Sequence, residues 1–234
     1  MSMNNLVGFA IAAVLAALVA FPCAGALRKH PGVFYALAVA ATALYVWALG
    51  TGEGPSAFRP LLVVMQKGYL ACLFLGIVMF TGVLDEKSAL RLRLQPIRGE
   101  LSILSFIFIV GHLLTYLPGY LPRLGTLFSG NATIAVSLVV AVALTALFAV
   151  LAAMSLRVVR RSMNPRTWKA VQRASYVMMA LLVLHVGLML GMSAFGGGVT
   201  RSTWVFWVYV AVVVLYAVLR IRKACADRAA AKDA

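Results

Sequence analysis

The chain has 234 residues, of which 63% are hydrophobic and only 12% are charged, and its mean hydropathy is +0.98. Water-soluble domains carry roughly 45–50% apolar and about 25% charged residues. This composition therefore excludes soluble enzymes, disordered tails and disulfide-stapled secreted modules. The formal charge of +15 would suit a nucleic-acid-binding protein, so the positions of the charges have to decide that question.

Seven apolar segments have the length that a membrane-spanning helix needs, which is about 20 residues for a hydrocarbon core of roughly 30 Å. In chain order they are Leu6–Leu27, Pro31–Gly50, Leu61–Leu84, Leu101–Tyr120, Thr133–Leu156, Ala174–Phe195 and Thr203–Leu219. They are too long for barrel strands, and no alternating strand pattern is present. We therefore predict an all-α membrane protein, a bundle of about seven transmembrane helices that forms one domain over residues 1–234.

Lys and Arg residues concentrate in the loops on one side of this predicted bundle. That side holds 17 of the 21 basic residues: Arg28, Lys29, Lys87, Arg91, Arg93, Arg98, Arg157, Arg160, Arg161, Arg166, Lys169, Arg173, Arg220, Arg222, Lys223, Arg228 and Lys232. The opposite side holds Arg59, Arg123 and Arg201, and Lys67 lies inside the third segment.

Short cytoplasmic loops are rich in Lys and Arg, so this bias predicts a topology. We expect the N-terminus outside and the C-terminus in the cytoplasm, in a bacterial plasma membrane. Because Met1–Asn5 has no charged side chain, we interpret the first segment as a span and not as a signal peptide. The positive charge then reflects topology, so we expect the lipid bilayer as a partner and no nucleic acid.

Two of the three histidines lie inside predicted spans, where ionisable residues are rare and indicate function by default. His112 lies twelve residues after Glu100, at the cytoplasmic start of the fourth span, and His185 lies twelve residues after Arg173, at the start of the sixth. At about 1.5 Å per residue, both imidazoles lie roughly 18 Å above the cytoplasmic face on parallel helices. Neutral imidazole is a common iron ligand. We predict that His112 and His185 are the axial ligands of one haem b.

Other side chains near this level could assist the haem or have ordinary roles. Tyr116 and Thr115, one turn outward of His112, could hydrogen-bond a ligand or a propionate, or could simply pack between helices. Arg123 and Arg201 could pair with propionates or be plain loop charges. The alternative for the two histidines themselves is an interhelical hydrogen bond or a proton relay.

The segments around the two histidines resemble the ferric reductase-like transmembrane superfamily, and within it the haem-binding membrane subunits of bacterial periplasmic methionine sulfoxide reductase systems. Arg98-Gly-Glu-Leu-Ser-Ile-Leu104, ahead of His112, resembles the basic, small-residue entry to the first haem-ligand helix. Trp168-Lys-Ala-Val-Gln-Arg-Ala-Ser-Tyr176, followed by His185, resembles the family's pattern of Trp, short spacer, Tyr and then His. The resemblance covers about residues 91–192, which we take as the haem-binding core.

This resemblance implies an electron-transfer subunit of an oxidoreductase and not a complete enzyme. The haem would relay electrons from a membrane quinone or flavoprotein donor to a periplasmic or extracellular redox partner or to ferric iron. Family members often have a second histidine thirteen residues before the one that matches His185, but here that position is Gln172, and the matching places around His112 are Gly99 and Gly125. We therefore expect a single haem, with a quinone, a flavin or a partner subunit near Trp168, Gln172 and Arg173 as the electron source.

A non-redox membrane protein is the rival class, either a small transporter or an assembly subunit that uses its histidines for protons or packing. Transporters often have Pro- or Gly-broken spans at matching positions in two halves. Pro22 and Pro118 interrupt the first and fourth spans without such a repeat relation, which weakens this alternative.

Overall fold

A computed structural model describes residues 3–51, 59–126, 132–191 and 201–230; helices make up most of these ranges, and no β-strand occurs in them. The helices are α1 Met3–Ala20, α2 Ala24–Lys29, α3 Pro31–Thr51, α4 Arg59–Gln66, α5 Tyr69–Thr81, α6 Ala89–Leu94, α7 Arg98–Tyr120, α8 Ala132–Ser155, α9 Arg157–Ser162, α10 Pro165–Gln172, α11 Ser175–Val186 and α12 Arg201–Ala230. Short 3₁₀ segments cover Gln95–Ile97 and Leu121–Thr126, and a π-helical turn covers Gly187–Gly191.

Five helical stretches in these ranges are long and apolar enough to cross a membrane: Pro31–Thr51, Ala89–Tyr120, Thr133–Ser155, Pro165–Gly191 and Val205–Ala229. Two shorter apolar helices, Val7–Ala20 and Tyr69–Thr81, accompany them. Large apolar side chains such as Leu37, Val139 and Val214 are more than half exposed. Lipid is the solvent in which such surfaces are stable. The prediction of an all-helical, multi-pass membrane bundle is confirmed at this level.

Two predicted segments are interrupted. Leu61–Leu84 forms α4 and α5, separated by a break at Lys67–Gly68, where Gly68 has a φ of +67° that side chains with a Cβ rarely adopt. Leu6–Leu27 forms α1 and α2, separated by a turn at residues 21–23. The prediction of one continuous helix was wrong in both places. In the sixth segment, the residues after Gly191 as far as Phe195 lie outside the described part of the chain.

Helix α7 packs at the centre of the bundle, against α3, α5 and α8. Small residues allow these close approaches. A Cβ on Gly111 would lie 3.2 Å from Met65 Cε, and a Cβ on Gly99 would lie 3.1 Å from the Ser155 carbonyl oxygen. Ser105 Oγ donates a hydrogen bond to the Ala71 carbonyl oxygen of α5. The helix that holds His112 is therefore fixed on several sides.

Several predicted cytoplasmic loops meet at one end of the bundle. Arg157 donates from Nε and Nη2 to Glu100 Oε1, at 2.8 and 2.6 Å, and from Nη2 to the Arg28 carbonyl oxygen at 2.7 Å. Arg93 Nη2 donates to the Phe21 carbonyl oxygen at 2.8 Å. We call this end, defined by Phe21, Arg28, Arg93, Glu100 and Arg157, the basic end.

Candidate functional site

A cavity of about 370 Å³ lies between α5, α7, α8, α11 and α12. This volume falls within the roughly 300–1,000 Å³ that small-molecule sites occupy. Most of its walls are apolar, and its polar groups include Lys67, His112, Tyr116, His185 and Tyr209. None of the described lining residues has a carboxylate. The structure thus brings both intramembrane histidines into the wall of one cavity.

The break between α4 and α5 holds the imidazole of His112 in place. Helix α4 ends at Gln66, and His112 Nδ1 lies 2.7 Å from the Gln66 carbonyl oxygen. A carbonyl can only accept, so Nδ1 carries the proton and donates it. In the neutral ring, Nε2 then has a free lone pair. A Cβ on Gly68 would lie 3.5 Å from His112 Nδ1, so the backbone turn packs directly against the ring.

His185 lies near the end of α11, and its ring, unlike that of His112, has no hydrogen bond at Nδ1 to a described residue. Its Nδ1 is buried and has no hydrogen-bond partner among the described residues. A π-helical turn, Gly187–Gly191, follows immediately and brings Met189 into the cavity wall. Such turns occur frequently at functional sites. A buried imidazole nitrogen without a partner costs free energy, so hydrogen bonding within the described chain does not account for this side chain.

Of the other predicted site residues, one lines the cavity, one does not, and two have side chains that the structure does not describe. Tyr116 lines the cavity, and its ring centroid lies 5.0 Å from that of His112. Thr115 does not line the cavity: its hydroxyl is 2.5 Å from the Tyr45 hydroxyl of α3 and donates to the Gly111 carbonyl oxygen. Its role is helix packing. The side chains of Arg123 and Arg201 lie outside the described part of the structure.

Lys67 is a site residue to which the sequence reasoning assigned no role. Its side chain is exposed, lines the cavity mouth and forms no ion pair with a described carboxylate. A cation at this depth in a membrane bundle is itself a functional signal. The polar run Gln66-Lys67-Gly68 inside an apolar segment was the feature that could have revealed both the break and the cation.

The proposed electron-entry residues lie on α10 and just after it. Trp168 Nε1 donates to the Met154 carbonyl oxygen at 3.0 Å, and Arg160 Cζ lies 5.2 Å from the Trp168 ring centroid. These two contacts account for the position of Trp168 by packing alone, without a role in electron transfer. Gln172 Nε2 is buried without a partner among the described residues. The donor site near these residues stays a prediction.

The donor set of the cavity fits a haem. No group of three or more His, Cys, Asp and Glu side chains that could hold a bare metal ion occurs in the described ranges. A haem iron needs only two protein ligands, because the porphyrin supplies four nitrogens. Two imidazoles in the wall of one largely apolar cavity meet that need.

No family model matches the chain, and no solved structure is similar to it. A protein of Treponema pallidum (strain Nichols), named "Uncharacterized protein", is 31% identical over 206 residues. The match covers 86% of this chain and 56% of that protein. The chain thus spans a little over half the length of this relative, whose name states no activity.

Proposed function

We propose that the chain is a cytochrome b-type membrane subunit that binds one haem b between His112 and His185. The observation that supports this most strongly is that the two intramembrane imidazoles line one largely apolar cavity. The hydrogen bond from His112 Nδ1 to the Gln66 carbonyl oxygen adds support. It orients the ring and leaves Nε2 free to bind a metal, as is usual for metal-ligating histidines.

Each residue would have a distinct task. His112 and His185 would hold the haem through their imidazole rings, and the haem would supply one-electron redox chemistry. Lys67 would provide a cation for a propionate carboxylate, and the Tyr116 hydroxyl would provide a hydrogen bond. The apolar walls would exclude water. For Arg123 and Arg201, the proposed pairing with propionates stays a prediction.

The proposed role requires a defined topology. We place seven spans in a bacterial plasma membrane, with the basic end in the cytoplasm and the N-terminus outside. The clustering of predicted cytoplasmic loops at one end of the bundle supports this orientation. Electrons would pass from a membrane quinone or flavoprotein to a periplasmic or extracellular redox partner. The resemblance to the ferric reductase-like superfamily supports this direction, with the chain as an electron-transfer subunit.

A second candidate function, proton-coupled transport, is favoured by one specific observation. The third predicted span breaks at Lys67–Gly68 beside the cavity, and discontinuous helices at membrane depth are typical of transporter binding sites. In that case the unpartnered His185 Nδ1 would exchange protons with a substrate pathway. The cavity would then bind a substrate without any haem.

A visible spectrum of the full chain distinguishes the two functions. The protein is purified in detergent from haem-replete cells and reduced with dithionite. We expect the Soret and α bands of a b-type haem in the wild type and their loss in both His112→Ala and His185→Ala. His30→Ala is the matched control, because His30 is an exposed residue in the turn between α2 and α3, and it should keep the bands.

Two results would contradict the cytochrome proposal. One is a wild-type protein without haem bands. The other is retention of the bands, at unchanged intensity per chain, in either histidine variant. A haem-free wild type whose uptake of a substrate depends on a proton gradient would establish the transporter instead.

A further inference from the structure

Four basic side chains converge near the cytoplasmic start of α7, away from the cavity. Arg91 belongs to α6, Arg98 begins α7, and Arg220 and Lys223 lie on α12. Arg91 and Arg220, together with the hydroxyls of Tyr176 and Tyr216, lie within electrostatic reach of the Arg98 guanidinium, and Lys223 shares the Glu86 carboxylate with Arg91. We call Arg91, Arg98, Arg220 and Lys223 the phosphate cluster.

Two carboxylates compensate only part of this charge. Glu86 Oε1 lies 3.0 Å from Arg91 Nη2 and 4.0 Å from Lys223 Nζ, and Asp227 Oδ1 lies 3.2 Å from Lys223 Nζ. Both carboxylates are mostly exposed, with 73% and 59% of the side chain accessible, whereas the Arg91 and Lys223 side chains are only 19% and 16% accessible. The acids therefore lie on the outside of the cluster and the cations lie inside it.

Arg98 and Arg220 have no carboxylate partner among the described residues. The half-buried Arg98 packs against Gly82 at the end of α5, where a Cβ would lie 3.7 Å from its Nη2, and it forms no hydrogen bond to a described residue. Arg220 Cζ lies 5.4 Å from the Tyr176 ring centroid. By contrast, Arg157 at the basic end is fully engaged by Glu100 and the Arg28 carbonyl oxygen. Half-buried guanidinium groups are normally paired, so Arg98 and Arg220 lack an anion.

The chemistry of the cluster identifies that anion. Guanidinium groups present planar forks of N–H donors that match phosphate oxygens, and Arg98 and Arg220 supply two such groups. The excess of positive charge excludes metal cations. The cluster lies where α7 begins and α11 begins, which is the level of the lipid headgroups in the proposed topology. Anionic headgroups are attracted to such basic sites between helices.

We propose that the phosphate cluster binds the phosphate group of a ligand, supplied by an anionic phospholipid headgroup or by a soluble phosphate compound. The bound phosphate neutralises Arg98 and Arg220 and ties the α5–α6 turn to α7 and α12. This site is separate from the histidine cavity, so its occupancy does not depend on haem binding.

Thermal unfolding of the detergent-purified full chain tests this proposal. Phosphatidylglycerol, phosphatidylcholine and inorganic phosphate are titrated separately, with chloride at matched ionic strength as the salt control. A ligand that binds only the folded chain raises its unfolding midpoint in a saturable way. Saturable stabilisation by phosphatidylglycerol alone identifies a lipid, and stabilisation by inorganic phosphate in lipid-free detergent identifies a soluble source. Stabilisation by neither probe overturns the proposal.

Matched variants locate the effect. Arg98→Gln and Arg220→Gln should each weaken the apparent affinity about tenfold or more, because each removes a charge-assisted hydrogen bond. Arg161→Gln removes an exposed cation of α9 and should leave the affinity unchanged. If Arg98→Gln fails to fold, Arg220→Gln gives the answer independently. Equal weakening by Arg161→Gln, or unchanged binding in Arg220→Gln, would overturn the proposal.

Discussion

Glu100 and His185 are both polar side chains within the helical bundle, but their surroundings differ. Glu100 is 5% exposed and accepts two hydrogen bonds from Arg157. His185 has a buried Nδ1 with no partner among the described residues. The first group is satisfied by the chain itself and fastens the basic end. The ring of the second lines the cavity, and no hydrogen bond from its Nδ1 ties it to the described part of the fold.

The largest expected effect on stability comes from Arg157→Ala, which leaves the Glu100 carboxylate without its partner. We expect the free energy of unfolding to fall by about 2 kcal/mol, because a charged group then loses its hydrogen bonds. Circular dichroism during thermal unfolding in detergent measures the change, with Arg161→Ala as an exposed control. The haem content per folded chain should not change, and loss of haem at an unchanged midpoint would contradict the separation of the two regions.

Gly68→Ala tests whether the helix break supports the cavity. A side chain at the positive φ of Gly68 should destabilise the fold by roughly 1–2 kcal/mol and should disturb His112, which packs against the turn. We therefore expect a lower midpoint and weaker haem retention on gel filtration. Gly76→Ala is the matched control on α5. A Cβ there meets no atom within 4 Å, so this variant should be neutral or slightly stabilising.

Thr115→Val should affect only the packing of α3 on α7. Loss of the Tyr45–Thr115 hydrogen bond should lower stability by about 1 kcal/mol and leave the haem spectrum unchanged. Tyr45→Phe removes the same bond. The double variant should therefore lose no more stability than either single variant does, because one hydrogen bond can be lost only once. A change of the Soret band in Thr115→Val would instead place this hydroxyl at the haem.

The smallest expected effect is that of His185→Leu on the haem-free protein. Replacing a buried, unpartnered imidazole by an apolar side chain should leave the free energy of unfolding unchanged or slightly higher, because it removes an unsatisfied polar nitrogen. The comparison is made between haem-free wild type and variant in the same detergent. A loss as large as that of Arg157→Ala would mean that His185 holds the bundle together, and the contrast with Glu100 would then fail.

Hydropathy and charge were sufficient to predict a helical membrane protein, because both signals are summed over the composition of whole segments. The shared cavity of His112 and His185 could also be anticipated, since equal spacing from Glu100 and Arg173 predicts one depth for both residues on parallel helices. The break at Gly68 was missed, although the polar run Gln66-Lys67-Gly68 marks it, because hydropathy summed over a whole segment hides a local interruption. The partner of Thr115 is Tyr45, 70 residues away, and no local pattern encodes such a contact.

The phosphate cluster could not be predicted from the sequence either, because it also depends on contacts between distant residues. Arg98 and Arg220 are far apart along the chain, and in the sequence each resembles any other basic residue of a predicted cytoplasmic loop. Only the packing of α6, α7 and α12 distinguishes them from Arg157, which has a carboxylate partner. Charge counts predict where basic residues lie relative to the membrane, whereas tertiary contacts decide which of them remain available for a ligand.

The number of haem groups per chain tests the central proposal most directly. A pyridine haemochrome assay of the purified wild-type protein, set against protein concentration from amino-acid analysis, measures this ratio. One cavity with His112 and His185 in its wall predicts one b-type haem per chain. A ratio of zero from haem-replete cells, or a ratio of two, would contradict the account.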